Sequence, residues 1–449
     1  MPGRVVIMLA ALVVPVGLRA QGGASVGSAN SSAMPYGGGQ QASLSYAGQE
    51  APSNVLLLSA GSETSYDSNV LGGRGPAAVG DSLFALGPHV SVLHQGLRFG
   101  VEVDYQPYFQ FYQRMTQYDR VNQALSVDTK LALSSHWALR LRDSFMSQTG
   151  LYQPLLGSSF VDNLGFPTRL NTSVYVPSAL QRDNDARFDV TYQRSASASV
   201  SFFGGYGQLD FLGRPLSGQQ LLNTKSETAG GEYTYRLSEH VTLGALTLLQ
   251  RFSSSGSSPQ GSPSGVIAAS ILASLAWHLR PTVAANAFFG PQYSRPDGLP
   301  GVGSSLVQSN ANQLSWAAGG TISKQAGQTA VFVSAYRMVT DGGGLVAYVR
   351  NSALDVGLRR RLVRHWDVTW DVAVAQNKVL DFGLGSSSIP SQSISFGLQH
   401  PIGDRLTARL NYSLMRQNGS GLLPSVADFN RNLITLGIFY QVRRIPLGR

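Results

Sequence analysis

The segment LRFGVEVDYQPYFQFYQ, beginning at Leu97, constrains this chain more than any other feature. Leu97, Phe99, Val101, Val103, Tyr105, Phe109 and Phe111 fall on one face of an extended chain. Arg98, Glu102, Asp104, Gln106, Tyr108 and Gln110 fall on the other. Side chains alternate along a strand with period two, so this is a strand that is apolar on one side only. It far exceeds the 5–6 residues of an average soluble strand. The pattern recurs. Val121, Leu125, Val127, Leu131 and Leu133 oppose Asn122, Ser126, Asp128 and Lys130, and Trp137, Leu139, Leu141 and Phe145 oppose Arg140, Arg142 and Ser144. Further copies lie near Phe188, Trp366 and Leu406.

The connections are sorted as well. Short polar ones, around Gln95-Gly96, Ser134-Ser135, Ser238-Glu239 and Ile402-Gly403, alternate with long loops rich in Gly, Pro, Ser and Asn, such as Asp67 to Asp81 and Gly150 to Gln181. A soluble sandwich does not sort its loops by end. A transmembrane barrel does, and its strands need only about 9–11 residues to cross a bilayer at a tilt. The expected fold is therefore all-β: a transmembrane, up-and-down antiparallel β-barrel of about eighteen strands (16–18), with short periplasmic turns and long extracellular loops. Closure removes sheet edges that lipid cannot solvate. The apolar face meets lipid and the charged face lines the lumen.

Composition fits this reading. Charged residues make up only 13% of the chain, less than a soluble surface carries, and 50 glycines accompany them. There is no cysteine, hence neither a disulfide framework nor a lipid-attachment thiol. Residues 1–20 read as a signal peptide, with Arg4 before the apolar run Val5 to Leu18 and Leu18-Arg19-Ala20 at the cleavage site. Residues 21–53, mostly Gly, Ser, Ala and Gln, read as a flexible periplasmic leader. Residues 54–443 are the expected barrel and 444–449 a C-terminal tail. These features place the protein in the outer membrane of a Gram-negative bacterium.

The first strand runs into YDSNVLGG (Tyr66, Asp67, Ser68, Asn69, Val70), and SLFALGPHVSV follows after a loop. This opening resembles the outer-membrane β-barrel porin families of Gram-negative bacteria, some members of which accompany exopolysaccharide loci. The local motif is short, and only the barrel pattern extends the likeness from about Val55 to Val442. The resemblance implies a porin-like or export-channel role without fixing a substrate. Such barrels end on an aromatic residue read by the assembly machinery, whereas here ITLGIFYQV is followed by RRIPLGR, which leaves Phe439 and Tyr440 as the nearest aromatics.

Three groups of residues are candidates for chemistry. His94, His136, His240, His278, His365 and His400 all lie beside short turns on different hairpins, too dispersed for one metal ion. They read as rim residues, and Trp137, Trp277 and Trp366 beside them read as a girdle at the membrane interface. His89 and Ser91 share a strand face, as a base and its nucleophile must, but no carboxylate partner is identifiable and both face the lumen. No catalytic residue and no metal site is assigned.

The third group is the set of lumen charges. Arg98, Lys130, Arg140, Arg142, Arg187, Arg236, Arg359, Arg405 and Arg409 are expected inward, as are Glu102, Asp104, Asp128, Asp189, Glu232, Asp355, Asp367 and Asp371. They form either a mutually neutralising ladder or rings that select solutes. The longest loop, 150–181, carries Tyr152, Phe160, Phe166 and Tyr175 and either caps the mouth or folds into the pore.

The function expected is passive passage of hydrophilic solutes, anionic saccharides among them, without enzymatic activity or cofactor. The expected partners are outer-membrane lipid and lipopolysaccharide, the barrel-assembly machinery and the solutes themselves. The net charge of +9 is no nucleic-acid signature, because no basic cluster is interleaved with aromatics. The alternatives are an exopolysaccharide export barrel, a lipid-modifying enzyme and a plugged structural barrel.

Overall fold

The computed structural model describes residues 54–72, 78–149, 173–176, 179–212, 221–255, 265–280, 282–297, 312–362, 366–380, 387–419, 428–443 and 445–447. The signal-peptide and leader segments, His365, and the aromatics Tyr152, Phe160 and Phe166 lie outside them.

Eighteen long strands follow one another: β1 (Val55–Asp67), β2 (Asp81–Gln95), β3 (Phe99–Tyr112), β4 (Arg120–Ala132), β5 (Trp137–Thr149) and β6 (Leu180–Gln193). Next come β7 (Ala198–Leu212), β8 (Asn223–Arg236), β9 (Val241–Ser255), β10 (Gly265–Arg280), β11 (Val283–Asp297) and β12 (Gln313–Ala326). The last six are β13 (Thr329–Gly342), β14 (Val346–Arg361), β15 (Asp367–Val379), β16 (Ser388–Ile402), β17 (Leu406–Gln417) and β18 (Phe429–Gln441). Each pairs antiparallel with its neighbours in sequence, and β1 pairs with both β2 and β18, so the sheet closes. This is the closed, up-and-down, eighteen-stranded barrel that the alternation demanded.

The alternation decides which way each side chain points. On β2, Phe84, Leu86 and Val90 are exposed while Leu83, Ala85 and Ser91 between them are buried. On β18, Ile434, Leu436, Ile438 and Tyr440 are exposed and Leu433 and Thr435 are buried. A closed sheet buries its concave face, so the exposed apolar set forms the outer belt and the polar set faces the lumen. Asp143 interrupts the belt in the middle of β5, opposite Val127 and Ala186. An acidic side chain there costs less than a basic one.

The loops depart from strict alternation at one place. The β13–β14 connection is only Gly343, Gly344 and Leu345, although it lies at the long-loop end. Its strands do not stop at the rim. The end of β13 and the start of β14 are buried on both faces, from Met338 to Gly342 and again at Tyr348 and Val349. Val339 and Tyr348 have the outward parity of their strands, yet they pack on Val266, Ala268 and Phe252, which belong to the inner wall of β9 and β10. The hairpin is thus bent into the lumen. Its tip needs glycine: Gly344 has φ +88°, and a Cβ there would lie 2.2 Å from the Phe211 ring. Asp341 secures the turn by accepting from the Gly343 amide at 2.8 Å.

At the seam, β1 and β18 pair over nine residues, from Ser59 opposite Gln441 to Asp67 opposite Leu433. The tail returns beyond it: Ile445 and Pro446 form a short strand, β19, against Leu56 and Val55. At the other end of the seam the YDSNV segment acts as a latch. Arg431 donates from Nε to both carboxylate oxygens of Asp67 at 2.9 Å, and both residues are fully buried. Ser68 donates its amide to the Asn432 carbonyl, and its hydroxyl accepts from the Asn432 amide. Asn69 donates to the Asn430 carbonyl.

Candidate functional site

Most of the charges assigned to the lumen by parity sit on the inner face, and seven of them are joined in ion pairs with one another. Arg140 grips Asp128 across β4–β5, its Nε 3.0 Å and 3.1 Å from the two oxygens. Asp189 accepts from Arg142 at 2.7 Å and from Arg187 at 2.9 Å, which joins β5 to β6. Glu102 faces Asp128 directly across the β3–β4 ladder, and Lys130 lies one inward position beyond. On the opposite wall Asp367 receives Arg359 at 3.6 Å and Arg361 at 3.2 Å. Asp371 accepts from Ser395, and Asp355 lies nearby on β14, where the Gly357–Asp371 pair fixes the register. Arg409 stacks on the Phe439 ring at 4.4 Å, on the same inner face as Glu63, which accepts from the Tyr108 hydroxyl.

Two of the assigned charges stand in turns, and a third keeps inward parity at a strand end. Arg98 lies in the β2–β3 turn and Arg405 in the β16–β17 turn, both exposed, because those short connections end the strands one residue earlier than the alternation implied. Arg236 is the last, exposed residue of β8. Glu232 is inward and buried, and accepts from Ser274 at 3.2 Å.

His89 finds a carboxylate. Its Nε2 lies 3.3 Å from Asp104 and its Nδ1 lies 3.4 Å from the Ser59 hydroxyl, while Ser91 is not its partner. The order hydroxyl–imidazole–carboxylate runs across β1, β2 and β3. The Ser59 backbone is taken up in ladders with both β2 and β18, so no pair of free amides stands beside the hydroxyl to hold an oxyanion. The chain of contacts is suited to lining a polar wall rather than to acyl transfer.

The remaining histidines stay apart at their turns. His136 donates to the Gln193 carbonyl at 2.9 Å, and the Trp366 and His400 rings stack at 4.4 Å. Among the described residues no three metal-ligating side chains converge. Trp137, Trp277 and Trp366 are 42%, 41% and 37% exposed beside the short turns, and Trp316 and Trp370, absent from the sequence-based girdle, also face outward.

Two inward segments shape the mouth. The end of the long loop, Ser173 to Val176, lies against the inner wall opposite the strand it leads into. Ser173 is hydrogen-bonded to Asn351 of β14 at 2.8 Å and to Asn377 of β15 at 3.0 Å. The Tyr175 amide donates to Gln417 of β17 at 2.7 Å, the Gln417 side chain donates back to the Tyr175 carbonyl, and the phenol bonds with Ser393 of β16. Burial pushes the Tyr175 phenol up, so it stays a neutral partner. Ser173, bonded to β15, is seven residues before Leu180 at the start of β6, which stands nine strands from β15 in a ring of eighteen. The described loop end, Ser173 to Val176, thus lies on the wall opposite β6.

The second segment is the β13–β14 hairpin, whose Gly344 carbonyl accepts from the Leu222 amide at 2.8 Å. Val174 and Val176 of the loop, Leu345 and Val346 of the hairpin, and Leu209 and Phe211 of β7 form one apolar cluster inside the barrel.

The inner wall of β7–β13 carries a second apolar cluster among buried polar residues such as Glu232, Gln250 and Gln292. Phe203, Leu246, Leu272, Phe288 and Met338 pack laterally against one another. The Phe288 ring lies flat over Gly319, where a Cβ would come within 2.5 Å of it. Sequence reasoning assigned none of these residues. The available signal was loss of period two: GVIAASILASLAWHLR on β10 is apolar on both faces, which marks a strand covered on both.

No protein-family model matches this sequence, and no curated protein does. Among solved structures, the chain is similar to OccK2 (OpdF) of Pseudomonas aeruginosa at 11% identity and a TM-score of 0.46, over 87% of this chain and 100% of that one. It is similar to OpdO of the same organism at 13% identity and 0.43, over 87% and 97%. It is also similar to OccAB3 of Acinetobacter baumannii at 10% identity and 0.44, over 87% and 99%.

Proposed function

We propose that the protein is a porin-like outer-membrane channel for hydrophilic solutes, anionic saccharides among them. The observation that carries the reading is the division of each strand in the β14–β18 and β1–β6 walls. Their outer faces are apolar, and their inner faces carry paired but partly solvent-accessible charges. Lipid would reject the inner set, at roughly 2–4 kcal/mol for each midplane Arg or Lys, and water would reject the outer belt. The tryptophans at the short turns fit an interface, with the short turns periplasmic and the long loops outside. The arginines of the inner wall would draw anions, and their carboxylate partners would keep the site from trapping them. Assembly would require the outer-membrane insertion machinery, and lipopolysaccharide would surround the outer half.

A second reading, a closed structural barrel, is favoured by the apolar cluster at the mouth. Planar-bilayer recording of the refolded chain separates the two. Discrete open steps with a shifted reversal potential in a salt gradient support the channel. Silence at high protein load supports the closed barrel. Among the described residues the Ser59–His89–Asp104 contacts lie on the inner face, away from a lipid substrate.

A further inference from the structure

The outer wall of β8–β12 differs from the rest of the belt. Cross-strand register places its outward side chains in rows. One row reads Ala229, Leu249, Ala269, Tyr293 and Leu314 across five strands. Small residues in it alternate with large ones that are 39–77% exposed, and a groove of about 510 Å³ opens between them, extended by Ile271 and Pro291. Two residues toward the long loops, the row changes character to Glu227, Arg251, Ile267 and Arg295, and the next contains Lys225 and Asp297. Arg251 is shared between Glu227 at 3.4 Å and Asp297. Lys225 and Arg295 are exposed and make no ion pair among the described residues. Asp210, on the neighbouring strand, is already engaged by Gln208 at 2.6 Å.

We propose that this face binds a phosphorylated, acylated amphiphile of the outer leaflet, with an acyl chain in the groove and phosphate on Lys225, Arg251 and Arg295. A bare apolar groove would suit any chain. Here the cations lie directly above it on the same face, at the end that the preceding reading turns outward, and the inference rests on that reading. Ammonium and guanidinium groups bind phosphate through charge-assisted hydrogen bonds, and Glu227 and Asp297 hold the Arg251 fork in place for it. Lys225 and Arg295 stand three strands apart, roughly 14 Å at ordinary strand spacing, a separation that favours a head group with two phosphates over a single one.

The test uses the full chain folded in detergent, native mass spectrometry, and two probes: diphosphorylated lipid A and phosphatidylethanolamine. The wild-type barrel is expected to keep one lipid A under conditions that strip phosphatidylethanolamine. The Lys225→Gln/Arg295→Gln double variant and, independently, the groove-filling Ala269→Trp should each weaken retention about tenfold or more. All three proteins should keep a heat-modifiable gel shift, since Lys225 and Arg295 are exposed and Ala269 faces outward from the wall. Equal retention of the two lipids, or undiminished retention by both variants, would overturn the proposal. So would cross-linking between two copies through a cysteine at position 269, which would assign the groove to a second chain. A wild-type barrel that conducts yet fails here leaves the channel reading standing and removes only the lipid site.

Discussion

The two halves of the lumen wall obey different rules. In β14–β18 and β1–β6 the inward positions are charged and hydrogen-bonding, as at Asp128, Arg140, Asp189, Asp367 and Arg409. In β7–β13, Phe203, Leu246, Leu272, Phe288 and Met338 pack into an apolar band among buried Glu232, Gln250, Ser270 and Gln292. The side chains of the first half are partly solvent-accessible, so its exposed ion pairs contribute little stability. The second half, with the bent hairpin and the loop end above it, behaves like a core. One side of the barrel is built to be wet and the other to be packed, so any conducting path runs off-centre, along the charged side.

The comparison can be broken or sharpened by substitution. The largest effect belongs to Arg431–Asp67, the fully buried ion pair among the described residues of the charged side. Arg431→Met strands Asp67 in the seam and should lower unfolding stability by about 3–5 kcal/mol, whereas converting both partners to apolar residues should recover most of the loss. Denaturant titration of the folded barrel measures both. On the packed side, Phe288→Ala removes the ring from Gly319 and should cost about 3 kcal/mol by the same titration, with conductance unaltered. Changed conductance there would place that wall in the water path.

Gly344→Val acts on the hairpin. The side chain would meet Phe211 at a left-handed backbone position, an expected cost of about 1–3 kcal/mol, which moving the tip off β7 relieves. Open-channel current in single-channel records should rise. The smallest stability effect is expected at Arg142→Gln. That pair is a quarter exposed and contributes no more than about 1 kcal/mol, yet the reversal potential in a salt gradient should move toward cation preference.

Much of the fold was legible in the sequence because the bilayer demands period two over every strand, and parity alone placed Arg140, Arg142, Asp189 and Asp371 inward. Parity failed where another force intervened. Val339 and Tyr348 have outward parity but lie inside, because their hairpin leaves the wall, and only the short DGGG connection hinted at it. The latch joins Asp67 to Arg431 across 364 positions, and no local pattern reports such a pair. His89 met Ser59, its direct cross-strand partner, and Asp104, a diagonal neighbour its long ring can reach, rather than Ser91. Arg98 and Arg405 were misplaced by a residue or two at strand ends, where turns override alternation.

Because the chain has no cysteine of its own, one accessibility experiment tests the off-centre path directly. Arg142→Cys on the charged wall and Leu272→Cys on the packed wall are each recorded in a planar bilayer before and after a positively charged thiol reagent. Modification at 142 is expected to change the single-channel current at once, and modification at 272 to leave it unaltered. A current that responds at 272 but not at 142, or no channel activity in either protein, would contradict the account.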